Sequence, residues 1–103
     1  MTTTFPKKDP GEKFYISFDF TAELDAGETI VSVAITNEVI GGVDATPAAM
    51  LSGSATIQAG AVLQIIMGGK ASCTYAPKCM ATTSSGRILA RAALLPVVNA
   101  KDW

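Results

Sequence analysis

From Phe14 to Leu24 apolar and polar side chains alternate without a break. Phe14, Ile16, Phe18, Phe20, Ala22 and Leu24 fall on one face, and Tyr15, Ser17, Asp19, Thr21 and Glu23 on the other. A helix would scatter that aromatic and β-branched set around its circumference, whereas an extended chain gathers it on one side, so the pattern predicts a half-buried β-strand. Asp25-Ala26-Gly27-Glu28 supplies turn chemistry, and Thr29 to Thr36 alternates again, with Val31, Val33 and Ile35 opposite Ser32, Ala34 and Thr36. The two segments read as an antiparallel hairpin, with Phe14, Ile16, Phe18, Phe20, Val31, Val33 and Ile35 pointing inward together.

Beyond Asn37 the Gly41-Gly42 pair breaks the pattern, and Val43 to Ile57, rich in small residues, is expected to hold one or two short strands. Ala61 to Met67 is an apolar run closed by Gly68-Gly69, too short for a buried helix and therefore a strand. Ser72 to Thr83, the tight Ser84-Ser85-Gly86 connection and Arg87 to Val98 read as a second hairpin. The run Arg87 to Leu95 also has good helix propensity; the short loop before it and the Pro96-Val97-Val98 ending favour a strand. Pro77 donates no ladder hydrogen bond, so its strand is expected to be bent or locally unpaired. About seven short strands separated by turns every 8 to 12 residues or so predict an all-β, immunoglobulin-like antiparallel sandwich. It forms one domain over residues 1–103, with mobile tails at about 1–7 and 99–103.

Composition changes this picture mainly by exclusion. The chain has 103 residues, enough for one domain that buries roughly two thirds of its unfolded surface. Charged residues are 17% against 49% hydrophobic, and the net charge is −1. A weakly charged surface favours association, while scattered Lys and Arg leave no footprint for nucleic acid. No apolar stretch approaches the ~18 residues of a membrane span, and no basic region followed by an apolar run opens the chain, so a soluble, unsecreted product is expected. The absence of histidine removes the commonest general base and metal ligand together. Cys73 and Cys79 sit about 20 Å apart if extended, too far for a disulfide, and lack the spacing of a zinc site; they read as free, buried thiols. Asp19 and Glu23, about 13 Å apart on one strand, cannot share a proton. Neither glycine pair has phosphate-loop spacing. No catalytic, metal or cofactor-binding residue is therefore expected.

The candidates that remain are interface residues, each with a plainer reading beside it. Lys7 and Lys8, with Lys13, either dock an acidic partner or simply solubilise the lead-in to the first strand. Arg87 and Arg91 share one face of the last strand and serve either intramolecular ion pairs or a subunit contact. Trp103 lies beyond the last strand, and either anchors a neighbouring subunit or folds back on its own domain.

Lys8-Asp9-Pro10-Gly11-Glu12, Tyr15 to Leu24 and Gly27-Glu28-Thr29-Ile30, followed by Leu63 to Gly69, Cys73-Thr74-Tyr75 and Ala81 to Arg87, resemble in order and spacing a family of small tailed-bacteriophage structural proteins, the fibre-tail adaptors. The resemblance spans most of Lys8 to Val98. It implies a non-catalytic phage or prophage virion protein, made in the host bacterial cytoplasm. It also implies a multimeric adaptor in the neck or tail that contacts itself, as a ring or a smaller oligomer, and neighbouring virion proteins. A capsid decoration protein with the same sandwich, or a bacterial immunoglobulin-like adhesion module, are the competing expectations.

Overall fold

A computed structural model of the chain describes residues 3–103. It is all-β, as the alternation predicts. Among the described residues there are nine strands, two more than expected: β1 (Thr3–Thr4), β2 (Lys13–Asp19), β3 (Ile30–Thr36), β4 (Val39–Gly41), β5 (Leu51–Gln58), β6 (Ala61–Met67), β7 (Cys73–Tyr75), β8 (Lys78–Thr83) and β9 (Ile88–Val97). The larger sheet runs β3-β8-β9-β7-β4, with β1 parallel to β9 on its other side; the smaller is β2-β6-β5.

The larger sheet is simpler than its strand count. β7 and β8 both pair with β9, and the register of Cys73 with Val97 carries through to that of Lys78 with Ala92 without a shift. Across the gap the Ala93 N–H still donates to the Pro77 carbonyl at 3.2 Å, and the Ala76 N–H to the Glu38 carbonyl at 2.8 Å. One long strand is thus interrupted only where Pro77 has no N–H to offer. The Ser84-Ser85-Gly86 hairpin and the strand at Arg87 to Val98 are both found where expected, and 88–97 is strand, not helix.

The first predicted hairpin does not form. β2 pairs with β6 and β3 with β8, so the two alternating segments lie in different sheets. The alternation ends as strand at Asp19, and a 3₁₀ turn over Thr21–Glu23 followed by the 25–28 turn carries the chain across the sandwich. Gly60 fits this crossover: its carbonyl accepts from the Phe20 N–H at 2.9 Å, and a Cβ there would meet Thr21 Oγ1 at 2.7 Å and its Cα at 3.1 Å. Ile16, Phe18 and Phe20 do point inward, and Val33 and Ile35 pack at the core margin. Val31 does not: it is 57% exposed, because a bulge between Ile30 and Ser32 turns it outward and sends Ile30 to the core instead.

Segment 43–57 contributes a 3₁₀ turn, Pro47–Met50, and β5. Met50 is buried, and Asn37 Nδ2 donates to the Pro47 carbonyl at 2.9 Å. Tyr75 pins the start of the segment: its hydroxyl donates to Asp44 Oδ2 at 2.6 Å and accepts from the Lys70 N–H at 2.9 Å. Burial, with the Asp44 hydrogen bond added, pushes its pKa up to about 12. Cys73 and Cys79 are free and buried, and burial raises the Cys79 thiol to about 11.

Candidate interaction surface

Sheet edges are where such a fold meets partners, because an edge strand leaves backbone N–H and C=O groups unpaired. Most edges here are blunted. β3 and β4, which form one border of the larger sheet, carry register shifts at Ile30/Ser32 and Val39/Gly41; β5 carries one between Ser52 and Thr56; β1 has two residues. β2 differs. Its seven residues pair with β6 in unbroken register from Lys13–Met67 to Asp19–Ala61, and its other edge has no backbone partner among the described residues.

Two open grooves run along that free edge and share Phe5 and Ser17. The larger, about 520 Å³, is lined mainly by apolar groups of Phe5, Pro6, Phe14, Tyr15 and Trp103, with Lys7 and Glu12 among its other walls. The smaller, about 220 Å³, lies between Phe18 and Asp19 of β2 and Arg91 to Ala93 of β9. Phe5 links the flank to the core, its ring standing edge-on to Phe18 at 6.2 Å between centroids.

The five candidate residues divide sharply. Lys7 is exposed beside the larger groove. Lys8, its neighbour, is fully buried: its ammonium donates to the carbonyls of Gly68 at 2.7 Å and Asp9 at 2.9 Å and lies 5.9 Å from the Phe14 ring centre. Desolvation outweighs Glu12 and Asp9 and lowers its pKa. Lys8 thus fastens the lead-in to the body, a role invisible in the Lys7-Lys8 dipeptide.

Arg87 and Arg91 take the intramolecular alternative. Arg87 pairs bidentately with Glu28, whose side chain is 3% exposed and also accepts from Thr83 Oγ1 at 2.6 Å and from the Ser85 hydroxyl. The guanidinium first, then the two hydroxyls, holds the Glu28 carboxyl far below the usual range. Arg91 pairs with Glu23 and lies 5.7 Å from the Phe20 ring centre. Together these contacts tie the 21–28 crossover to the second hairpin.

Trp103 folds back in part. Ala100–Asp102 forms a 3₁₀ turn held by the Ala100 N–H donating to Asp9 Oδ1 at 2.8 Å, and the indole N–H donates to the Val98 carbonyl at 2.9 Å. The ring remains 54% exposed at the groove. At the other terminus Thr3–Thr4 runs beside Ala93 and Leu94; the tail expectation for Met1 and Thr2 lies outside the described residues.

Comparison with individual curated proteins found no match. The model of one protein family, described as Podophage GP4 fiber-tail adaptor protein gp77, matches residues 8–96. That span begins at the buried Lys8 and takes in β2 to β8 and nearly all of β9. The chain belongs to this family of tailed-phage fiber-tail adaptors.

Proposed function

We propose that this chain is a non-catalytic component of the phage neck or tail, a multimeric adaptor that joins the tail or its fibre to the neighbouring virion protein through the flank beside β2. The observation that carries this reading is the coincidence of an unblunted edge strand, an apolar groove and a half-exposed Trp103 on one side of the molecule. Exposed aromatic anchors beside an apolar pocket are the usual source of binding energy in an interface. A low-charge surface and a sequence without histidine support an assembly role rather than chemistry. In a ring, each copy would offer one patch to a different patch on the next.

The test is co-purification of the full chain with the tail and fibre proteins of its phage, read by size-exclusion chromatography with light scattering. A stable complex is expected, and Trp103→Ala should weaken it about tenfold or more. Failure to bind any of those proteins would remove the adaptor reading.

A further inference from the structure

The free edge of β2 is complementary to itself. Its two charged residues, Lys13 and Asp19, lie at its opposite ends, equally distant from Ile16. If a second copy of β2 is laid antiparallel beside the first with Ile16 facing Ile16, then Lys13 faces Asp19 and Tyr15 faces Ser17, at both ends of the pair. Lys13, Tyr15, Ser17 and Asp19 are all exposed on the outer face, so each opposite charge meets its counterpart on the same side of the joined sheet.

Backbone geometry permits the same register. The Phe20 N–H donates to the Gly60 carbonyl, one step beyond the Asp19–Ala61 pair, so Phe20 and Gly60 form a hydrogen-bonded pair of the β2–β6 ladder. Such pairs alternate, which assigns the even-numbered residues of β2 to β6 and leaves the N–H and C=O of Lys13, Tyr15, Ser17 and Asp19 aimed outward. Those are the residues brought opposite one another in the self-paired register. The Tyr15 rings of the two copies are then diagonal neighbours, within aromatic reach across the two-fold axis. Asp19 can serve: Oδ1 accepts from the Thr21 N–H, leaving Oδ2 for a lysine.

We propose that the free chain forms a two-fold dimer by antiparallel pairing of β2 with β2 of a second copy, centred on Ile16, joining the two three-stranded sheets into one of six. The pairing deepens the adaptor reading, on which it rests for the purpose of leaving an edge open. It closes at two copies, so any ring is built from other surfaces.

The experiment is sedimentation velocity on the purified full chain over a wide concentration series, with Lys13→Glu, Asp19→Lys and an equimolar mixture of the two variants. The wild type is expected to show a monomer–dimer equilibrium. Either variant alone sets like charges opposite each other at both ends and should weaken dimerisation roughly tenfold. The mixture restores opposite charges at every position in a heterodimer and should recover wild-type association; thermal melts confirm that each variant is folded. A wild type that stays monomeric throughout, variants that associate as well as it does, or a mixture without recovery would each overturn the pairing. Should the monomeric chain still bind virion proteins, with slowed hydrogen exchange at Tyr15 and Ser17, the edge accepts a partner's strand and the adaptor reading stands. A charge-dependent dimer that binds no virion protein would leave the pairing and remove the adaptor reading instead.

Discussion

The β3–β4 border and the β2 border meet solvent in opposite ways. Along the first, two register shifts, one of which turns Val31 outward, break the line of backbone groups that another strand would need. Along the second, seven residues run straight, flanked by grooves rather than covered. Bulged edges repel strand addition and straight ones invite it, so the irregularities are informative about which side of this sandwich is open to a partner.

Proline can break that comparison at either of two adjacent sites. Ile16→Pro removes an N–H that bonds β6, together with a buried side chain, and should cost about 3 kcal/mol or more in a urea titration. Ser17→Pro removes only an outward N–H and should leave a folded chain that does not dimerise. Equal damage at both sites would show that the outward assignment is wrong. The bulge offers the next largest contrast. Ile30→Ala, in the core, should cost about 2–5 kcal/mol, whereas Val31→Ala should stay within about 0.5 kcal/mol. Comparable losses would mean that β3 has no bulge.

The smallest expected effect concerns the tie between crossover and hairpin. Glu28 has a depressed native pKa, so its contribution is full above the ordinary carboxylate value of 4.5 and is lost as pH falls below it toward the depressed value. Glu28→Gln should therefore melt lower at pH 7 and lose less on acidification than the wild type does. Parallel melting curves of the two proteins at every pH would show that the Arg87 pair is not coupled to folding.

Local pattern made β2, β6 and the second hairpin legible, because alternation and a three-residue connection constrain the backbone directly. Pairing partners were not legible: whether β2 joins β3 or β6 depends on residues some fifty positions away, and Asp25-Ala26-Gly27-Glu28 suits a sheet-to-sheet crossover as well as a hairpin. Val31 was misplaced because one extra residue inverts an alternation without altering composition. Of the candidate surface, Trp103 could be picked out from its place beyond the last strand and Lys7 from its charge, an argument that also picked the buried Lys8. Phe5, Phe14 and Tyr15 were missed as a group, since only the docking of the lead-in against β2 makes them neighbours.

The clasp between residues 5–9 and 94–100 has a consequence for the order of events during synthesis. The Phe5 and Lys8 N–H groups bond to the carbonyls of Leu94 and Pro96, and Asp9 holds Ala100. None of these bonds is available to a growing chain until residues 94–100 have left the ribosome. The lead-in that walls the grooves must then wait, unpaired, through translation of almost everything it will touch. Domains dominated by pairing between such distant positions fold slowly, in about milliseconds to seconds. The flank beside β2 is consequently among the last parts of residues 3–103 to acquire its shape, because Phe5 and Lys8 dock only once Leu94 and Pro96 are in place.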